Sequence, residues 1–534
     1  MAIKYRSRID YAAIVAGNRE GINLGLDAAI FLRKEAVTRT FEPPRIGTQG
    51  SSIGDSTAST DISAGSDTSI DIEVDGGAEV TASVTVAGLN TGALIAAAFE
   101  TAINNALIAD GQDGRVWVQF VSGDAHYEVY SQKTGTSSSV VITDSSSNNV
   151  ADDLKLGVAN GGTEAAGTND QDFFLYTSGG ITFSQPISSN PHRTGRFHNG
   201  IIKSKKVVEF DMDCMLNMSG SAGDSLDTAL RLLYESATGS ETVVGSTSID
   251  YTQGLPNFTF SAVKASTIFA EYYTGLYVKD FSLEAPGDAP VTQKFAGMGS
   301  DGKIAGIGKV NGAVSASATV ILDATQAKRF TVGSRVMVVD PDGRTILAGY
   351  DGTLVVNTVT VATHTLVLSS AITVDDNGYI VPWHPGAVQQ TARDNIYTDL
   401  EGSFKFTDSG NTVCATNISF SLANDHIDLN NCFGVDHNEG FAAGNRATWN
   451  LSVTLDLSNE NFGDLVQTRE FGGLDGELVI GSTSGRYLLI DFRKWIVSVP
   501  PIDLPENGTT PVTFEGILYQ TEAGAQDPVT LSFR

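Results

Sequence analysis

One strand-turn-strand pattern is written twice in this chain, and no other feature constrains its fold as tightly. The first copy runs from Gly275 to Phe281, continues through a polar turn to Pro290-Val-Thr292, and is followed by Phe295 and Gly297. The second runs from Gly485 to Phe492, continues to Pro511-Val-Thr513, and is followed by Phe514 and Gly516. Residue order and type agree, while the spacing drifts by several residues. A long internal period means one structural unit used twice in one polypeptide. A chain carrying two copies of a unit can complete a symmetric ring with half as many subunits. The pattern therefore points toward an assembly before it points toward an active site.

The 534 residues amount to several domains, and a hydrophobic share of 41% is enough for ordinary cores. Charged residues make up only 18%, and Ser, Thr, Gly and Asn are abundant, which favours many short strands with polar turns over long helices. A net charge of -28 excludes a grip on nucleic acid through its phosphates. Three cysteines, Cys214, Cys414 and Cys432, form no disulfide framework and suit a reducing compartment. The start lacks an apolar core of signal-peptide length, and no apolar run approaches the roughly 20 residues of a membrane span. The expectation is a soluble product that does not leave by the ordinary signal route.

Five segments follow along the chain. Residues 1–50 are mildly basic and read as an N-terminal arm and the start of a first main domain. Residues 51–178 hold eighteen Asp and Glu against three Lys and Arg. Strands are predicted over Ser69–Val74, Thr81–Val86, Val116–Phe120, Tyr127–Tyr130 and Val140–Thr143. Between them, a helix from Asn90 to Leu107 places Leu94, Ile95, Ala98, Phe99, Ala102 and Ile103 on one face, with Asn90 or Thr91 as N-cap. Residues 179–304 form the first main domain. In it Val208, Phe210, Met212, Cys214 and Leu216 alternate with Glu209, Asp211 and Asp213, and a short helix spans Gly223–Glu235. Residues 305–390 read as a small separate β-barrel with turns at Pro341–Gly343 and Asp376–Gly378. Residues 391–534 form the second main domain. It contains the cleanest two-residue period of the chain, Trp449 to Leu457, then a helix predicted over Asn461–Glu470.

The two main domains resemble the tube domain of long-tailed bacteriophages, a small β-sandwich or barrel flanked by a short helix. The resemblance rests on Arg193–Arg196 leading into Val207–Met215, the helix near Asp224, and the Gly275–Gly297 pattern. In the second half it rests on Phe420–Asp425, Gly440–Arg446 leading into Trp449–Leu457, and the Gly485–Gly516 pattern. It covers about half the chain. The acidic segment 51–178 resembles the flagellar-hook IN motif. The fold so implied is mainly β with short helices: two tandem tail-tube β-sandwich or barrel domains and two small inserted decoration domains. The function implied is that of a non-enzymatic structural protein of the phage tail. Homotrimeric rings with near six-fold symmetry would stack head to tail into a conduit through which DNA passes without binding. The partners implied are further copies of the chain, a tape measure protein, a tail terminator and distal tail or baseplate proteins, with no membrane and a place in the virion. A flagellar hook-associated or other filament or adhesin protein is the alternative that the IN-like segment suggests, although neither terminus shows the heptad helices such proteins carry. A polysaccharide depolymerase would need the short regular repeats of a β-helix, which are absent.

Glu209, Asp211 and Asp213 are the candidate site residues. A row of fixed negative charge suits the wall of a lumen that DNA must traverse, since the duplex carries about one charge per 1.7 Å; it suits an ordinary solvated sheet face as well. His426, Cys432 and His437 form the nearest approach to a metal set, but no CxxC partner accompanies them. His192 and His198 read as surface residues. The stretch Gly297–Lys303 has P-loop glycine and lysine spacing, yet Ile304 stands where a magnesium-binding Ser or Thr belongs, so it reads as a turn. Asp152–Asp153 and Asp375–Asp376 read as solvated turn pairs. No catalytic residue, cofactor site or metal site is assigned.

Overall fold

The computed structural model describes residues 29–533 apart from six longer stretches, 190–200, 217–227, 384–402, 429–440, 457–473 and 499–510, and shorter ones of at most eight residues. The chain is mainly β. Its main body is built from β1 (Ala29–Lys34), β2 (Ser178–Ser184), β3 (Val207–Met215), β4 (Gly239–Val244), β5 (Ser248–Gln253), β6 (Phe260–Ala265), β7 (Ala270–Pro286), β8 (Thr292–Gly299) and β9 (Asp301–Ala305). A second set follows: β10 (Ser403–Phe406), β11 (Ala415–Asp428), β12 (Phe441–Asp456), β13 (Leu474–Ile480), β14 (Leu488–Ser498), β15 (Pro511–Leu518) and β16 (Val529–Phe533).

Alternation decides which face of each strand is buried. In β3, Val208, Phe210, Met212 and Cys214 are buried while Glu209, Asp211 and Met215 are exposed. In β12, Trp449, Leu451 and Val453 are buried while Thr448 and Asn450 are exposed. These strands lie in one continuous antiparallel sheet of order β2-β3-β8-β7-β11-β12-β15-β14. The N-terminal halves of β7 and β14 leave that sheet and enter a second layer. There β1-β6-β7-β9 form one part, and β10-β13-β14-β16-β5-β4 form the other. The layers enclose one core that both halves of the chain share.

The two sets are copies in register. Phe210 faces Gly297 and Met212 faces Phe295, just as Leu451 faces Gly516 and Val453 faces Phe514. Leu276 faces Phe260 and Tyr273 faces Ala262, just as Trp495 faces Leu474 and Phe492 faces Gly476. The counterparts are therefore β1 and β10, β2 and β11, β3 and β12, β6 and β13, β7 and β14, β8 and β15, β9 and β16. This register corrects the alignment drawn from sequence. Phe295 and Gly297 do match Phe514 and Gly516, but Gly275 matches Lys494 rather than Gly485, and Pro511 takes the place of Thr292 rather than Pro290.

Two local features fix the repeat. The first is the crossing between layers, where a bulge puts Gly275 at φ 67 and Lys494 at φ 50. The Gly275 amide donates to buried Glu35 Oε1 at 2.8 Å, and Ser261 Oγ holds the same carboxylate at 2.8 Å. In the second copy, Asp475 stands in place of Ser261 and accepts directly from the Lys494 amide at 2.9 Å. The second feature is a glycine where the paired strands crowd together. A Cβ at Gly297 would lie 2.0 Å from the Tyr277 carbonyl oxygen, and one at Gly516 would lie 2.2 Å from that of Ile496.

The helices pack as their apolar spacing requires. Helix α1 (Gly92–Ala109) starts at Thr91, whose hydroxyl accepts from the Leu94 amide. It buries Ile95, Ala96, Phe99, Ile103 and Leu107, so Leu94, expected inside, is exposed and Leu107 takes its share of the contact. By length and composition α1 is apolar enough to cross a bilayer, but its apolar face packs in the core of the insert. That insert holds two small sheets, one with strands Ser51–Ile53, Val116–Val121, His126–Ser131 and Thr163–Ala165, the other with Ser69–Val74, Val80–Ser83 and Val140–Thr143. The second insert is a six-stranded sheet spanning residues 308–382, closed on itself by a bridge between Val310 and Leu322. Helix α2 (Thr228–Thr238) plugs the main core. The Tyr234 ring meets Tyr251, Phe281, Phe295 and Phe533 at 5.0–5.4 Å, and its hydroxyl donates to Gln293. The helix predicted over Asn461–Glu470 lies outside the described residues.

Candidate functional site

The outer face of the eight-stranded sheet is the surface that the sequence singled out. Directly opposed residues of an antiparallel ladder share a face, so the rows can be read across the sheet. One runs Gly180, Asp211, Ala296, Asp280, Ala423, Thr448. The next runs Ser178, Asp213, Lys294, Ser282, Ser421, Asn450, Ile517, Ile496. A third runs Met215, Thr292, Glu284, Ser419, Ser452, Glu515, Ser498. Glu209 lies on the same face beside Thr182 and Met298.

Glu209, Asp211 and Asp213 are therefore neighbours on one surface. Asp211 pairs with Lys294 at 2.9 Å, both about half exposed, and this hydrogen bond raises the lysine above its ordinary range. A surface pair of this kind contributes at most about 1 kcal/mol. Asp213 accepts from Ser178 Oγ. Burial raises the Asp280 carboxyl, against the opposing pull of Lys279. Glu284 accepts from Ser419 Oγ at 2.7 Å across the seam between the copies.

The charge is unevenly shared. Glu209, Asp211 and Asp213 of the first copy correspond in register to Asn450, Ser452 and Thr454 of the second. Thr454 pairs instead with the Thr513 hydroxyl at 2.8 Å. A more acidic patch and a mostly uncharged polar patch thus sit side by side on two equivalent scaffolds. Sequence reading found the acidic row through β3 alone; Asp280 and Glu284 join it only through the strand pairing.

The groups set aside on sequence have structural places. His426 sits between Tyr277 and Phe441, with ring centroids at 5.2 and 4.8 Å. Its proposed companions Cys432 and His437, and also His192 and His198, lie outside the described residues. Gly297–Lys303 is the hand-over from β8 to β9 and leads into no helix. Asp376 accepts from the Gly312 amide at 2.8 Å, and Asp152 pairs with Lys155 at 2.7 Å. Among the described residues no three His, Cys, Asp or Glu side chains are placed to hold a metal ion.

No protein-family model matches the chain, and a search of the curated proteins finds no similar sequence.

Proposed function

We propose that this chain is a structural protein of the tail tube of a long-tailed bacteriophage, without catalytic activity, and that it polymerises as stacked rings into a hollow conduit for DNA. One observation carries the reading: two register-matched copies of a four-stranded unit, β2-β3-β8-β7 and β11-β12-β15-β14, already join edge to edge inside one chain. A seam that joins two copies of a unit within a chain is a template for joining units of successive chains.

Three chains supply six such units. A wall of roughly 24 strands, spaced about 4.8 Å apart and tilted by about 40°, has a backbone diameter on the order of 45–50 Å. Barrels of 16–18 strands already leave an aqueous channel, so this one is open. The apolar face turns outward onto the second layer, and the polar face lines the opening. Fixed carboxylates on that face, Glu209, Asp211 and Asp213 among them, disfavour adhesion of a polyanion in transit.

Electron microscopy of the purified protein and of virions tests this. Rings of three-fold symmetry with a near six-fold inner wall, found along the tail, are the expected result. Monodisperse globular monomers, with no copies in the tail, refute it.

A further inference from the structure

The last strands of the two copies have equivalent outer edges that are closed in different ways. On β16 the edge is taken by the β4–β5 hairpin of the first copy, which runs antiparallel to it with Tyr251 opposite Leu531. The counterpart of β16 is β9, and that of Leu531 is Ile304, because Ile490 faces Leu531 just as Glu271 faces Ile304. At β9 the second insert stands where the hairpin would be. The Thr331 amide donates to the Ile304 carbonyl at 2.9 Å, and the Thr331 hydroxyl accepts from the Ile304 amide at 2.8 Å. Two residues on, the Gly306 amide donates to the Arg329 carbonyl at 3.0 Å, so 329–331 run antiparallel to β9.

The sheet face beside that edge differs between the copies in the same sense. Phe31, Val263, Tyr272 and Ala305 are buried and share one core with the insert. The Tyr272 hydroxyl lies 2.8 Å from the Arg335 carbonyl and 2.6 Å from that of Trp383, where the insert leaves the main body. In register, the second copy carries Lys405, Glu477, Asp491 and Ser532 at these four places. Lys405, Glu477 and Asp491 are 42%, 36% and 41% exposed. The face is apolar where the insert covers it and charged where it meets water. A strand edge left open beside an apolar face is a template for pairing with another chain.

We infer that the second insert is a cap. It closes on β9 the edge that β4–β5 closes on β16, and it covers the apolar face beside that edge, so that no strand from a second copy of this chain adds there. In the ring proposed above, the second layer would then be continuous within a chain and interrupted between chains; the cap itself does not depend on the ring.

A full-chain variant and a shortened chain test it. Thr331 is exposed, and Thr331→Pro takes both its amide and its hydroxyl from the β9 edge. It should speed exchange of the Ile304 amide roughly tenfold or more, and it should raise concentration-dependent self-association above that of the parent by analytical centrifugation. Gly308 lies opposite Ile380, so a short Gly-Ser linker in place of residues 309–379 leaves the ends together. This shortened chain should form sedimenting aggregates with new intermolecular β signal, on top of whatever state the parent adopts. Given Phe31→Lys, Val263→Glu and Tyr272→Asp, the residue types of the second copy, most of it should return to the soluble fraction. A shortened chain that sediments like the parent, or one that aggregates equally with and without the three charges, overturns the cap. A Thr331→Pro chain with faster exchange and unchanged association overturns the role of the edge. A parent that stays monomeric at every concentration refutes the ring alone, and the comparison of each variant with the parent still decides the cap.

Discussion

The left-handed crossing offers the sharpest test of the repeat, because the register places Gly275 and Lys494 at one structural position. Both have positive φ, both stand at the bulge where a long strand changes layer, and both donate their amide to a carboxylate. A side chain in this region costs about 1–2 kcal/mol. At Gly275 an added Cβ would also lie 2.3 Å from Ser300 Oγ and 2.7 Å from Ser300 Cβ. Overpacking of that kind costs typically 1–3 kcal/mol, so Gly275→Ala should destabilise β7 by about 2–5 kcal/mol. Lys494→Gly should act the other way. It removes the left-handed penalty and gives back roughly 0.5–1 kcal/mol in unfolded-chain entropy, for a net gain of a few tenths to about 1 kcal/mol. A multidomain chain does not unfold in one step, so the measurement is amide hydrogen exchange over residues 270–278 and 488–497. Exchange in the first segment should accelerate at least tenfold in Gly275→Ala, since each 1.4 kcal/mol is a factor of ten. Exchange in the second should slow in Lys494→Gly. If Gly275→Ala leaves exchange unchanged, or Lys494→Gly accelerates it, the two positions are not equivalent and the register argument fails.

Two further outcomes follow from the charges. Asp491 lies opposite Glu477 in its ladder, and its carboxyl is raised by burial and, to a smaller degree, by Glu477 and Asp475, against the pull of Arg493. A carboxyl whose folded pKa exceeds its unfolded one loses stability as pH rises through that window. Asp491→Asn should therefore raise the thermal midpoint at neutral pH and leave it unchanged at a pH below the unfolded carboxylate range; an equal shift at both pH values would rule out titration as the cause. On the acidic face, Glu209, Asp211 and Asp213 changed together to Lys should make assembled tubes retain duplex DNA in a salt-dependent way, by filter retention or ejection rate. Tubes that pass DNA as freely as the parent would show that the carboxylates are only a solvated face.

Sequence made the strands legible where one face meets water and the other meets the core. Ser69–Val74, Val140–Thr143 and the alternation in β3 and β12 coincide with the observed strands because a two-residue burial period is written directly into side-chain polarity. The equivalence of the copies was harder to place. Glycine and proline drew the alignment to Gly485 and Pro511, yet the left-handed position in the second copy is occupied by Lys494, whose strain is offset by Asp475. Phe295-x-Gly297 and Phe514-x-Gly516 were the better anchor. Carried upstream without gaps from that pair, Val278, Leu276 and Tyr273 fall on Val497, Trp495 and Phe492, all apolar. The candidate surface was legible only in part, since strand pairing rather than local pattern brings Asp280 and Glu284 beside the β3 row.

In the proposed ring, the seam between the copies would give a reason for joining two unlike units in one chain rather than making identical subunits. Identical subunits would give every seam the same residues. Here the internal seam is aromatic, Tyr277 against Phe441 and His426, and it is reinforced by α2. Asn424 donates to the Ala237 carbonyl at 2.8 Å, and Trp449 Nε1 reaches Gln253 at 3.1 Å. At the positions of Tyr277 and Met298 the second copy carries Ile496 and Ile517, both half exposed. A covalently linked seam forms at an effective concentration set by the chain and can be built as a permanent core.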